Sequence, residues 1–175
     1  MNLPVPVLPN VQIPSVLKGQ TALVTGANSG IGRAIALQLG SAGANVVINY
    51  VTKPELAEEV AALIRKTGQR AMIAKADVSD ESQVQAMFAS AVKEFGSLEI
   101  LVNNAGMEKN APFHEMTTQQ WDQVINVNLR GAFLCAREAV RTFLHQGVRP
   151  ATSVAAGKII FISSVHEVIP WAGLR

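Results

Sequence analysis

The sequence is short of cysteine, of charge and of long apolar runs. Cys135 is its single cysteine, so no internal disulfide can form, and one thiol in an apolar stretch is typical of a core residue in a reducing compartment. Charged residues make up 16% of the chain, and the net charge of +2 is not gathered in a Lys/Arg block, which argues against a nucleic-acid partner. No apolar run is long enough to span a bilayer, so we expect no membrane partner, and the single thiol favours a cytoplasmic location.

The sequence also lacks a secretory signal and the spacing of metal ligands. The N-terminus has no basic stretch followed by an apolar core, so it does not resemble a secretory signal. Prolines at positions 4, 6, 9 and 14 instead predict an extended leader over residues 1–17, and residues 18–175 are predicted to form one domain. The histidines lack the spacing of metal ligands, so no metal site is expected.

From Thr21 onward, short Val-, Ile- and Ala-rich stretches alternate with amphipathic ones. The apolar stretches predict strands at Thr21–Thr25, Asn45–Asn49, Arg70–Ala76, Glu99–Asn103 and Lys158–Ser163. The amphipathic stretches predict helices at Ile31–Ser41, Glu55–Lys66, Glu81–Glu94 and Thr118–Leu144, with Gly43, Gly68 and Gly96 as stop signals. This alternation predicts an α/β fold with a Rossmann-like, doubly wound parallel sheet and helices on both faces.

A glycine-rich run lies between the first predicted strand and the first predicted helix. Glycines at such a turn let a phosphate approach the backbone, and the N–H groups and dipole of the helix N-terminus attract an anion. The sequence therefore predicts a dinucleotide phosphate site formed by Thr25, Gly26, Asn28, Ser29, Gly30, Ile31 and Gly32. The alternative is a structural turn that only packs the helix on the strand.

Five landmarks occur in order along the chain: this turn, Asp77-Val78, Asn103-Asn104-Ala105-Gly106, Asn128 and Ile162-Ser163-Ser164. Together they resemble the short-chain dehydrogenase/reductase family, over residues from about 20 to the end of the chain. The resemblance implies an oxidoreductase that transfers a hydride between a small-molecule substrate and NAD or NADP. It also implies a homo-oligomer, usually a tetramer.

The resemblance implies a role for each landmark. Asp77 and Val78 would hold the adenine ring, and the segment Asn104, Ala105 and Gly106 would border the nicotinamide ribose. Ser164 would hydrogen-bond the reacting oxygen, and Asn128 would anchor a water molecule in the proton relay. Two other interpretations stay open, with Asp77 as the cap of the following helix and Asn128 as a polar residue that bends its own helix.

Two stretches, residues 104–115 and 163–171, are similar to the glucose 1-dehydrogenases of that family. This similarity implies that Glu108, His166 and Trp171 border a sugar, and that the reaction converts glucose to gluconolactone. The alternative is that such loop residues are only solvated.

The end of the second predicted strand bears on the choice of cofactor. NAD-binding folds usually place Asp or Glu there to bind the ribose 2′-hydroxyl group. This sequence has Asn49 at that point and Lys53 shortly after it, with no acidic residue between them. We therefore expect NADP to be preferred and NAD also to be accepted. Lys53 would reach the 2′-phosphate, unless it is an ordinary solvated lysine.

The family's proton transfer also uses a Tyr followed four residues later by a Lys. The only tyrosine, Tyr50, has no lysine at that spacing, and the sequence stops at Arg175, short of the expected position. We expect a sheet that is incomplete on its C-terminal side and an inactive chain, because general acid–base assistance contributes about 10²–10⁴ in rate. A non-catalytic NAD(P)-binding module and a non-functional fragment are the alternatives.

Overall fold

Five strands and five α-helices lie along residues 15–165, the part of the chain that the computed structural model describes, and they alternate except that the last two helices follow each other. The strands are β1 (Thr21–Val24), β2 (Asn45–Tyr50), β3 (Ala71–Lys75), β4 (Ile100–Asn103) and β5 (Lys158–Phe161). The helices are α1 (Gly30–Ser41), α2 (Pro54–Arg65), α3 (Glu81–Phe95), α4 (Thr118–Val124) and α5 (Ala132–Gln146), with a π-helical segment (Ile125–Gly131) between the last two. Every predicted strand is confirmed, and its ends differ only slightly from those expected.

The strands form one parallel sheet in the order β3-β2-β1-β4-β5. In its register, Leu23 of β1 lies between Val47 of β2 and Leu101 of β4. The chain builds outward from β1 to β3 and then returns to add β4 on the other side of β1, so the strand order reverses there. Connections that diverge at such a point leave a crevice at the carboxyl ends of the strands, where folds of this type bind ligands.

Alternate strand residues supply two separate apolar layers, because successive side chains point to opposite faces of a sheet. On one face, Leu23 and Leu101 pack with residues of α3 and α5 such as Phe88. On the other face, Val46 packs with residues of α1 and α2 such as Ile64. Helices therefore cover both faces, and the predicted Rossmann-like, doubly wound fold is confirmed.

Helix α3 shows how local sequence sets the ends of a helix. The Asp80 carboxylate accepts hydrogen bonds from the N–H groups of Ser82 at 2.8 Å and Gln83 at 3.1 Å, which satisfies two otherwise free donors. Gly96 ends the helix at φ 83°, a left-handed conformation that a Cβ atom disfavours. The predicted stop signals at Gly43, Gly68 and Gly96 are confirmed, since all have positive φ.

The prediction of one uninterrupted helix over Thr118–Leu144 is wrong. Thr117 and Gln120 form the expected capping box at its start, but a π-helical segment replaces the α-helix from Ile125 to Gly131. A π-helical turn pairs residues five apart and so holds one more residue than an α-helical turn. Gly131 lies against Val78 here, and a Cβ atom at position 131 would meet Val78 Cγ2 at 2.7 Å. The interruption therefore fits the helix against the turn that follows β3.

The two ends of the described region lie near Leu17 and just after strand β5. Leu17, the last residue of the predicted leader, donates its N–H to the Ala42 carbonyl at 2.9 Å, while residues 1–14 lie outside the described residues. Strand β5 lies at one edge of the sheet as the structure describes it, with Ile160 and Phe161 exposed. Among residues 15–165, no helix has the length and apolar character that crossing a membrane requires.

Candidate active site

A cleft of about 850 Å³ opens at the carboxyl ends of β1 and β4, where the strand order reverses. The predicted cofactor residues that line it are Gly26, Asn28, Ser29, Gly30, Ile31, Asn49, Asp77, Val78, Asn104, Ala105 and Gly106. The predicted residues Thr25, Gly32 and Lys53 are not in its lining. One cleft thus collects most of the residues that the sequence assigned to a cofactor, although they come from four separate segments.

The amino end of α1 is the part of the cleft best suited to an anion. The first hydrogen bond within the helix runs from the Arg33 N–H to the Ser29 carbonyl at 3.0 Å, and the Ser29 side chain caps no N–H group. No acceptor among residues 15–165 therefore pairs with the N–H groups of Gly30, Ile31 and Gly32. Free N–H groups and the positive end of the helix dipole together bind phosphate.

The glycines of this turn have different structural roles. Gly30 has φ +54°, and a Cβ atom there would meet nothing within 4 Å, so its missing side chain leaves open space in front of the free N–H groups. A Cβ atom at Gly32 would lie 2.4 Å from Asn104 Nδ2, so Gly32 serves close packing behind the cleft. Gly26 lines the cleft, but its N–H is already bound to Asn49 Oδ1 at 3.1 Å. The turn therefore fits a diphosphate at Gly30 and the first turn of α1.

Thr25 and Asn104 fasten the glycine-rich turn to the loop after β4. The Thr25 hydroxyl oxygen accepts the N–H groups of Asn104 and Ala105, each at 2.9 Å. In return, Asn104 Nδ2 donates to the carbonyl oxygens of Thr25 at 2.9 Å and Gly26 at 3.2 Å. Thr25 thus joins the glycine-rich turn to the loop after β4, and it is not among the residues that line the cleft.

The turn after β3 forms the wall assigned to the adenine ring. The Asp77 carboxylate accepts hydrogen bonds from the N–H and hydroxyl groups of Ser79, at 2.9 and 2.7 Å. The alternative interpretation of Asp77 as a helix cap is wrong, because Asp80 caps α3. Hydrogen bonds, first from the Ser82 hydroxyl and then from the Gln83 backbone, lower the pKa of Asp80 to about 2.

The end of β2 presents no acidic side chain to the cleft. The lining there consists of Asn49, Val51 and Thr52, and the carbonyl of Thr52 accepts a hydrogen bond from Asn28 Nδ2 at 2.9 Å. Lys53 follows at φ 59°, a left-handed conformation that is uncommon for a residue with a side chain. It is exposed, follows the lining residue Thr52 in the sequence, and immediately precedes α2.

Asn128 lies in the π-helical segment and binds the loop after β4. Its Oδ1 accepts the Met107 N–H and its Nδ2 donates to the Met107 carbonyl, both at 2.9 Å. The helix is interrupted at Asn128, which agrees with the open interpretation that this residue disturbs its helix. Ser163 and Ser164 lie just beyond β5, which ends at Phe161 and so is shorter than the predicted strand Lys158–Ser163.

The described structure includes one of the three predicted sugar-binding residues. Glu108 is exposed in the loop after Met107, whereas His166 and Trp171 lie outside the described residues. Tyr50 is 8% exposed in the core formed with α1 and α2, and it does not line the cleft.

Two expectations from composition concern sites outside the cleft. Cys135 is fully buried on α5, and burial raises the pKa of its thiol to about 12, as befits the predicted core residue. Within residues 15–165, no group of three or more His, Cys, Asp and Glu side chains has an arrangement that would hold a metal ion.

Sequence reasoning missed four residues of the lining: Val51, Thr52, Met107 and Val127. Val51, Thr52 and Met107 come within three residues after a predicted cofactor residue, near the carboxyl ends of β2 and β4. These three could have been predicted, because ligands of such folds bind at the carboxyl ends of the strands. Val127 had no such signal, because the π-helical segment that turns it to the cleft was not foreseen.

Comparisons with known proteins agree with this geometry. A family model described as short chain dehydrogenase matches residues 20–175. The chain is 40% identical over 155 residues to glucose 1-dehydrogenase 2 of Bacillus subtilis (strain 168), covering 88% of this chain and 57% of that protein. It is 42% identical over 155 residues to 3beta-hydroxysteroid dehydrogenase 1 of Eggerthella lenta, covering 89% and 57%.

A solved structure is also similar, that of a double mutant of a short-chain dehydrogenase/reductase from Serratia marcescens. It shares 35% identity with this chain at a TM-score of 0.79, covering 90% of this chain and 60% of that one. The fold and its cleft define a dinucleotide-type α/β domain, and the chain belongs to the short-chain dehydrogenase/reductase family. It spans somewhat more than half the length of the curated relatives that it matches.

Proposed function

We propose that this chain binds NAD or NADP in the cleft, as part of an oxidoreductase that moves a hydride between that cofactor and a small-molecule substrate. The observation that carries the proposal is the amino end of α1, where free N–H groups and the open space at Gly30 meet the cleft. Family membership supports the class of reaction.

The chain's own residues would bind and orient the cofactor. The first turn of α1 would bind the diphosphate, Asp77 and Val78 would border the adenosine, and the loop Asn104–Gly106 would border the nicotinamide ribose. The nicotinamide, when bound, supplies the carbon that accepts or donates the hydride. Ser164 would donate a hydrogen bond to the reacting oxygen, and Asn128 would anchor a water molecule while it holds the loop at Met107.

We propose a preference for NADP, with NAD also accepted. The end of β2 itself contributes no carboxylate to the lining. The one acidic residue in the described lining is Asp77, which follows the neighbouring strand β3, and its carboxylate accepts hydrogen bonds from Ser79. Lys53, exposed and next to the lining residue Thr52 in the sequence, would contribute a positive charge to the 2′-phosphate.

The proposed substrate is glucose, oxidised to gluconolactone. It rests on the similarity of residues 104–115 and 163–171 to glucose 1-dehydrogenases, with Glu108, His166 and Trp171 as the sugar contacts. The names of the two relatives point to different substrates, a sugar and a steroid, so substrate choice is tested separately. In the whole protein, we expect Glu108→Ala to raise KM for glucose, whereas unchanged kinetics would remove Glu108 from the site.

A homotetramer and a cytoplasmic location are further proposals. The first follows from the family, and the second from the single buried thiol. Sedimentation of the purified protein would test the tetramer.

A non-catalytic NAD(P)-binding module is the second candidate. It is favoured by the absence of any tyrosine or lysine from the described lining of the cleft, since the family's proton transfer uses both. The two functions separate in two measurements on the chain: a titration with NADPH followed by nicotinamide fluorescence, and an assay for reduction of NADP⁺ when glucose is added. A saturable change without glucose-dependent reduction of NADP fits the module, turnover fits the enzyme, and no saturable change at millimolar NADPH contradicts both.

A further inference from the structure

One buried amide links two walls of the cleft. Asn49, at the carboxyl end of β2, is 1% exposed. Its Oδ1 accepts the Gly26 N–H at 3.1 Å, and its Nδ2 donates to the carbonyl oxygens of Ala74 at 3.2 Å and Ala76 at 2.9 Å. The side chain therefore ties the glycine-rich turn after β1 to the end of β3, the segment that leads into Asp77.

The three hydrogen bonds require an amide in one orientation. A flipped amide would direct its NH₂ group at the Gly26 N–H and its oxygen at two carbonyl oxygens. A carboxylate would lose both donors, and an aliphatic side chain would leave buried polar groups unpaired. The backbone adds a fourth link, because the Asn49 carbonyl accepts the Ala27 N–H at 2.8 Å. Asn49 is thus specified by its protein partners, and not by exposure to a ligand.

The two linked walls serve different parts of the proposed cofactor. Gly26 belongs to the turn that leads to the diphosphate position at α1, whereas Ala76 directly precedes Asp77 and Val78 at the adenosine position. A ligand that spans both positions binds best when their spacing is fixed in advance, because ordering the walls during binding costs free energy.

We infer that Asn49 is a positioning residue that fixes the spacing between the diphosphate turn and the adenosine wall. This inference rests on the proposed function. It predicts that replacing Asn49 weakens the binding of ligands that contact both walls and has little effect on the binding of ligands that contact only one.

The chain offers a matched control on the same strand. Asn45 lies at the opposite end of β2, where its Oδ1 accepts the Arg70 N–H at 3.1 Å, and it does not line the cleft. Asn45→Ala and Asn49→Ala therefore each remove an amide that bridges β2 to the segment around β3. Titrations of each variant with ADP and with adenosine, followed by NMR at a temperature where both are folded, compare a spanning ligand with a short one.

We expect Asn49→Ala to raise the Kd for ADP about tenfold and the Kd for adenosine by less than about twofold, while Asn45→Ala changes neither. Equal Kd values for ADP in the two variants would overturn the inference. Equal weakening of ADP and adenosine would also overturn it, because that result indicates a collapsed adenosine wall and not a changed spacing.

Two further outcomes have distinct meanings. If the unaltered chain binds neither ADP nor NADPH, the proposed function fails, and this result is distinct from a failure of Asn49 alone. If Asn49→Ala does not fold, Asn49→Ser replaces it, since its hydroxyl group fills part of the same space but is too short to make the three hydrogen bonds of the amide. The same selective loss of ADP affinity is expected, and unchanged ADP affinity in that variant would overturn the inference.

Discussion

The side-chain amide of Asn128 pairs with both polar atoms of the Met107 peptide, accepting its N–H and donating to its carbonyl, each at 2.9 Å. Sequence places the two residues on different segments, a helix and the loop after β4. The π-helical segment brings them together, and Met107 lines the cleft. Asn128 therefore fixes the loop that borders the proposed nicotinamide position.

Asn128→Ala should lower the free energy of unfolding by about 1–3 kcal/mol, because it removes two hydrogen bonds that contribute about 0.5–1.5 kcal/mol each. Urea unfolding measures the change. Asn110→Ala is the control, since Asn110 is exposed in the same loop and no hydrogen bond to it is found among residues 15–165. Equal destabilisation by both substitutions would contradict the role assigned to the Asn128–Met107 pair.

Lys53→Gln should weaken NADPH binding about tenfold and leave NADH binding unchanged, because a charged hydrogen bond to the 2′-phosphate contributes about 1.5–3 kcal/mol. Fluorescence titration with each cofactor measures the ratio. Lys66→Gln, at the other end of α2, should change neither value. A loss of NADPH and NADH affinity in the same proportion would show that Lys53 does not read the 2′-phosphate.

Stability should depend on pH through Asp80. Its folded pKa of about 2 lies below the ordinary value of 3.8, so folding favours the carboxylate. The stabilisation is fully present above about pH 4 and is lost as the pH falls toward 2. Asp80→Asn retains a capping side chain but cannot titrate there. Denaturation between pH 2 and 5 should therefore show a steeper loss for the unaltered chain than for this variant, and parallel curves would argue against the cap.

The Cys135 thiol should be inert in the folded chain. Burial raises its pKa to about 12, so the thiolate that reacts with alkylating reagents is scarce near neutral pH. Iodoacetamide at pH 8 should modify Cys135 only after unfolding in urea, as followed by mass spectrometry. Rapid alkylation under native conditions would mean that α5 opens readily or packs differently.

Local signals made most of the fold and the phosphate turn predictable. The strands were short, apolar runs between glycine stops, and Thr117 with Gln120 carried the capping-box spacing. The same kind of signal was available for Asp80, which has Gln83 three residues later, and it would have excluded Asp77 as the cap.

Other features depend on contacts between distant segments and have no local signal. The π-helical segment is set by Asn128 meeting Met107 and by Gly131 meeting Val78. Likewise, nothing near Asn49 in the sequence shows that its amide binds backbone groups of two other segments. Thr25, Asn49 and Asn104, which the sequence assigned to the cofactor, form hydrogen bonds that connect the segments around the cleft.

Binding of NADPH to a matched pair of glycine variants tests the central claim most directly. Gly30 and Gly68 both have positive φ and open space where a Cβ atom would lie, but only Gly30 lines the cleft. Alanine at either position should cost about 1–2 kcal/mol of stability. Gly30→Ala should also raise the Kd for NADPH about tenfold or more, because its methyl group occupies the diphosphate position. Saturable binding that is equally tight in Gly30→Ala and Gly68→Ala would contradict the claim that the amino end of α1 binds the cofactor.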